Sequence, residues 1–139
     1  MLRRIYYKLV KNTHIGKYVE IRKGVSIGFN TYIDSFCVFT GNSKIGNNVT
    51  IRNACIIARG VEIGDYTFIS PQAMFQNLDI GGKKIGGAKI GSHCFIGTNV
   101  TFKEGVYICN NVVIGSKSYV NRDIVEPGFY VGCPIRKIK

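Results

Sequence analysis

From residue 15 to residue 75 the chain places Ile or Phe at every sixth position: Ile15, Ile21, Ile27, Ile33, Phe39, Ile45, Ile51, Ile57, Ile63, Ile69 and Phe75. Four residues after each comes a second, smaller side chain: Val19, Val25, Thr31, Cys37, Ser43, Val49, Cys55, Val61, Thr67 and Ala73. Polar residues and Gly fill the gaps, as in I-G-N-N-V-T from Ile45 to Thr50. The rule resumes at Ile90 and continues through Ile96, Phe102, Ile108, Ile114 and Val120. Between Phe75 and Ile90 the step is fifteen residues.

Six is no multiple of 3.6, so the period excludes helix, and β-branched residues with Gly favour strand and turn. Strand alternation puts both marked positions of a hexad on one face. Each hexad is therefore predicted as a short strand with two inward residues and a turn at the three positions after its Ile or Phe. Three hexads close a triangular coil, and coils stack at about 4.8 Å. Cys37 and Cys55, 18 residues apart, should lie one above the other. The predicted fold is an all-β parallel β-helix, a solenoid with a stacked apolar core. The fifteen-residue step predicts a loop pushed out at about residues 77–89. The expected organisation is a cap at residues 1–14, a β-helix over 15–125 and a C-terminal tail over 126–139.

The first segment has another period. Leu2, Ile5, Tyr6, Leu9 and Val10 recur at helical spacing with basic residues between them, predicting a helix over residues 2–12. One reading makes it the cap over the open end of the solenoid. The other makes it a peripheral contact with an anionic membrane surface.

A net charge of +11 points to an anionic partner or substrate. No apolar run approaches the ~20 residues of a membrane span, and no signal peptide is recognisable, so a cytoplasmic location is expected. No nucleic-acid-binding motif or stacking platform accompanies the charge. The five cysteines show no C-x-x-C spacing, and Cys37, Cys55 and Cys94 fall at interior repeat positions, so reduced, packed thiols are expected. With only His14 and His93 in the chain, no metal site is expected.

The repeat resembles the hexapeptide repeat of the left-handed β-helix proteins, and the resemblance covers nearly the whole chain. Left-handedness, a homotrimer and active sites between neighbouring β-helices are what it implies. The C-terminal half resembles the sugar acetyltransferases of that family. I-G-S-H-C-F-I-G-T-N-V-T-F-K-E-G-V (Ile90–Val106), I-G-S-K-S-Y-V-N-R-D-I (Ile114–Ile124) and V-G-C-P-I-R-K-I-K (Val131–Lys139) match their closing motifs in order and spacing. Acetyl-CoA as co-substrate and a sugar or nucleotide-sugar acceptor, acetylated on a hydroxyl or an amino group, follow from the resemblance, as does a place in surface-polysaccharide or lipopolysaccharide biosynthesis. Thr98 and Ser116 each stand two residues after a hexad start and 18 residues apart, which predicts one corner, one coil apart. In the family the pantetheine arm lies along such a line. Lys117 replaces the family's Gly there, where its side chain either reaches a CoA phosphate or narrows the groove, and Arg136 and Lys137 match basic residues that meet the CoA phosphates.

Acetyl transfer needs an acceptor that loses its proton, and in the family a His in or just before the extruded loop takes it. Here that stretch, F-Q-N-L-D-I-G-G-K-K (Phe75–Lys84), has no His. Three readings stand open. Asn77 seats an amino sugar that needs no protein base, as the resemblance of A-M-F-Q-N-L-D to amino-sugar N-acetyltransferases suggests. Alternatively His93, at a corner after the loop, is the base, with Asp79 as orienting group or base. The last reading is a catalytically inactive β-helix that serves as a structural or assembly partner. Gly81–Gly87 lacks the full phosphate-loop pattern and is not read as one.

Overall fold

A computed structural model describing residues 1–139 shows a left-handed parallel β-helix, preceded by one helix, Leu2–Lys11 (α1). Its strands, mostly two residues long, form sheets of eight, six and five strands, the three sides of the prism. Register follows the repeat: Ile15 pairs Ile33, Ile33 pairs Ile51, and Ile27 pairs Ile45. Across the long step, Ile69 pairs Ile96 and Phe75 pairs Phe102, so the regular coils close as if the loop were absent. Ile33, Ile51, Ile57, Ile69, Ile96 and Ile114 are completely buried. Each such side chain contributes about 1.5–3 kcal/mol of burial. Phe75 and Phe102 stack inside with centroids 4.5 Å apart.

The smaller inward positions have their own chemistry. Thr31, Ser43 and Thr67 hydroxyls donate to the carbonyls of Gly46, Ala58 and Gly91, one coil on, at 2.8–3.1 Å. The thiols of Cys37, Cys55 and Cys94 point the same way, at the carbonyls of Arg52, Ser70 and Cys109. Each corner carbonyl thereby gains a partner from inside the prism wherever the position holds Thr, Ser or Cys, and Val or Ala fills the same position in other hexads. Cys37 and Cys55 occupy adjacent coils, with Val38 N–H donating to the Cys55 carbonyl at 3.0 Å.

The third turn position needs a left-handed backbone. Asn30, Asn48 and Asn99 take it at φ 54–59°, as does Gly24 at 81°. Tyr18, Phe36, Tyr66 and His93 take it too, and these bulky exceptions stack in pairs along the edges: Tyr18 on Phe36 and Tyr66 on His93.

Bonds between coils run both ways, for example from His14 N–H to the Thr31 carbonyl at 2.9 Å and from Phe36 N–H to the Lys17 carbonyl at 3.0 Å, so the first coil, with no coil before it, leaves carbonyls at the N-terminal end that no earlier amide reaches. Helix α1 supplies the donors. Arg3 reaches the carbonyls of Ile21, Arg22 and Val25, Arg4 those of Gly16 and Val19, and Lys11 that of Ile27. These acceptors run around the coil, so the helix lies across its open end. An amphipathic cap ordinarily lays its apolar face inward. Here the basic face turns in, because carbonyls need donors more than the end needs grease, and only Tyr7 of the helix is buried.

At the other end, Gly128–Val131 adds to the eight-stranded sheet and Arg136–Lys137 folds back antiparallel on it. The segment expected as a tail is thus a hairpin with Tyr130 and Ile135 buried.

Candidate active site

The extruded loop leaves the prism after Met74–Phe75, at the edge between the six- and five-stranded sheets. It closes on itself. Asp79 N–H donates to the Lys83 carbonyl at 2.9 Å, and Leu78 bridges Lys84. The Asp79 carboxylate holds the turn from within: Oδ1 accepts from Gly81 N–H at 2.9 Å and Lys83 N–H at 2.8 Å. The Asn77 carbonyl accepts from Ile85 and Gly86 N–H. Where the loop rejoins the prism, Gly87 passes directly over Gly60 and Val61, with no room for a Cβ. The Gly-rich run therefore answers to the loop's own geometry.

Under the loop is an open hollow of about 500 Å³, lined by Gln76, Leu78, Asp79, Ile80, Lys103, Glu104 and Tyr119. Its far wall comes from the next two coils. Sequence reading missed Lys103, Glu104 and Tyr119, although counting one coil on from Gln76, with nine extra residues for the loop, arrives at Lys103.

Thr98 and Ser116 share a second edge, between the eight- and six-stranded sheets. Thr98 N–H donates to Ser116 Oγ at 3.1 Å, and Lys117 N–H donates to the Thr98 carbonyl at 2.8 Å. The same bond recurs higher on this edge, from Lys17 N–H to Ser35 Oγ at 3.1 Å. The Ser116 hydroxyl is thus part of the edge's own ladder, while the Thr98 side chain stays exposed. Lys117 is also exposed and holds a left-handed backbone at φ 59°. One step further down, the Gly115 Cα faces Val131, and the Arg136 guanidinium lies over Gly132. Thr98, Ser116 and Arg136 thereby line one edge. Lys137 instead binds Glu126 at 3.1 Å, which raises its pKa, while Arg136 has no carboxylate partner.

His93 stands on the third edge, between the five- and eight-stranded sheets. Its ring is exposed and stacked on Tyr66, centroids 5.1 Å apart and 7° from parallel. Asn77 and Asp79 are together in one loop; His93 is a full side of the prism away in the same chain, and Thr98 with Ser116 lies on yet another edge.

A family profile described as the GMPPB C-terminal domain matches residues 7–130. The chain belongs to this family. Solved structures share the fold. A point mutant of AntD, an N-acyltransferase from Bacillus cereus, solved with dTDP and coenzyme A, superposes with a TM-score of 0.77 at 24% identity over 97% of this chain and 87% of its own. PerB from Caulobacter crescentus, solved with CoA and GDP-perosamine, gives 0.80 at 17% identity over 99% of this chain and 65% of its own. The acetyltransferase domain of PglB from Neisseria gonorrhoeae gives 0.76 at 18% identity over 97% of this chain and 66% of its own.

The exteriors of the three sides differ. The five-stranded side carries an ionic ladder, Lys44–Glu62–Lys89, with contacts of 3.7 and 3.8 Å. The eight-stranded side shows Tyr32, Phe68, Phe95, Val113 and Phe129 outward, and the six-stranded side Val38, Ile56, Met74 and Tyr119. His14 and Thr50 also stand outward on the eight-stranded side and Glu20 and Thr101 on the six-stranded one, so two sides are mainly apolar and one is mainly charged.

Proposed function

We propose that the chain is an acetyl-CoA-dependent acetyltransferase acting on an amino group of a sugar, carried as a nucleotide sugar in surface-polysaccharide or lipopolysaccharide synthesis. The observation that carries the reading is the edge line of Thr98, Ser116 and Arg136, which sits in the three closing motifs and ends on a free guanidinium suited to a phosphate. AntD and PerB, with the same fold, were solved with coenzyme A and a nucleotide or nucleotide sugar.

In this reading the neutral amine attacks the thioester carbonyl. The C–S bond breaks, and the CoA thiolate takes the proton the nitrogen sheds, leaving free CoA thiol and an N-acetyl sugar. An amine that enters unprotonated needs no strong base, which suits a loop without His. Asn77 and the hollow beneath the loop would seat the acceptor. Because the loop and the edge line occupy different edges of one prism, a site combining them draws on neighbouring copies. A homotrimer packed through the two mainly apolar sides, working in the cytoplasm, fits this need.

The test is release of CoA thiol from acetyl-CoA in the presence of nucleotide-linked amino sugars, with sugar hydroxyl acceptors alongside. Turnover with an amino sugar is expected. No turnover with any acceptor, together with no CoA binding by calorimetry, sinks the enzyme reading and leaves the assembly role. Light scattering should give three times the 15.4 kDa chain mass.

A further inference from the structure

Helix α1 is inverted relative to an ordinary cap. Arg3, Arg4 and Lys11 are held inward by the first coil's carbonyls. Leu2, Ile5, Tyr6, Leu9 and Val10 consequently form one outward stripe, with Leu2 80%, Leu9 75% and Val10 59% exposed. The stripe is fixed outward, because rolling the helix to bury it would strip donors from six carbonyls.

The surroundings say what covers it. Seven of the 19 basic residues but one of the eight acidic ones lie in residues 1–33. That acid, Glu20, is already bound by Arg22. Lys8, Lys17 and Lys23 remain exposed around the end, without acidic partners. No helix is long and apolar enough to cross a membrane. An apolar stripe lying across the end of a prism, ringed by free lysines, matches a flat anionic surface with an apolar interior.

We propose that this end docks on an anionic phospholipid bilayer: the α1 stripe enters the acyl boundary, Lys8, Lys17 and Lys23 meet the headgroups, and the prism stands upright. Thr98 lies four coils beyond Lys17, about 19 Å further from the surface at the strand spacing, so its edge stays open to water-soluble substrates. The proposal does not depend on the acetyltransferase reading.

The test is co-sedimentation of the whole chain with phosphatidylcholine vesicles, with and without phosphatidylglycerol. Binding is expected only with phosphatidylglycerol, and at least tenfold weaker for the Leu2→Glu/Leu9→Glu double variant and for Lys17→Glu/Lys23→Glu. A second readout uses Tyr6→Trp, a clean reporter because the chain has no other Trp; its emission should shift to the blue with anionic vesicles alone. Failure of the wild-type chain to sediment with them, equal binding to pure phosphatidylcholine, or undiminished binding of the leucine double variant overturns the proposal. So does a lipid-free wild-type assembly that falls apart in the leucine double variant, since the stripe would then be covered by a second copy.

Discussion

The Asp79 carboxylate accepts the Lys83 amide at 2.8 Å and the Gly81 amide at 2.9 Å through one oxygen, so it ties together the loop over the hollow. Asp79→Asn retains an oxygen able to accept both bonds; Asp79→Ala retains none. Steady-state kinetics should show Asp79→Asn close to wild type. Asp79→Ala should raise KM for the sugar about tenfold, the effect of ~1.4 kcal/mol of lost positioning, and leave KM for acetyl-CoA unchanged. A dead Asp79→Asn enzyme would make the carboxylate a base instead.

Gly87 and Gly81 bracket the same loop but differ in surroundings. A Cβ at Gly87 would collide with the backbone of Gly60 and Val61, whereas one at Gly81 would meet the Asp79 carboxylate at an ordinary 3.4 Å. Gly87→Ala should cost about 2 kcal/mol or more and Gly81→Ala well under ~1 kcal/mol, measured by urea unfolding.

Arg136 and Lys137 are adjacent and both basic, yet only Arg136 lacks a carboxylate partner. Calorimetry should show Arg136→Ala weakening CoA binding about tenfold, near 1.4 kcal/mol, and Lys137→Ala weakening it much less. If the guanidinium meets the 3′-phosphate, the Arg136→Ala effect disappears with dephospho-CoA. Equal losses from the two variants would rule out a special role for Arg136.

Burial pushes the Cys94 thiol above its ordinary 9.0, and contact with Cys37, with burial second, pushes Cys55 up. An acid whose pKa is raised by folding favours the folded chain below its unfolded value and loses that advantage as pH rises past it. Stability should therefore hold up to about pH 8 and fall above it, as the unfolded thiols ionise at about 8.5. Cys94→Ser should weaken that alkaline slope. At neutral pH it should cost under ~1.5 kcal/mol, because Ser43 already makes the equivalent bond at 3.1 Å. Native-state thiol titration should find the exposed Cys133 first and leave Cys37, Cys55 and Cys94 unreacted until unfolding.

The core was legible in the sequence because each hexad states its own inward pair locally, and stacking merely repeats it every 18 residues. That counting places Cys37 over Cys55 and Thr98 over Ser116, and it carries across the long step once nine residues are set aside, as Phe75 on Phe102 shows. Separation around the prism was less legible. His93 is close to the loop in sequence, yet one strand of the five-stranded sheet carries it to a different edge, where it stacks on Tyr66.

By itself, then, the sequence determined the solenoid, its register and the site of the loop, since a period is a local property of side chains on a repeating backbone. Tertiary structure alone decided which way α1 turned. Its apolar spacing says only that the helix has two faces. The row of unpaired carbonyls on the first coil, which exists only once the coils have stacked, drew Arg3, Arg4 and Lys11 inward and left Leu2, Leu9 and Val10 outside.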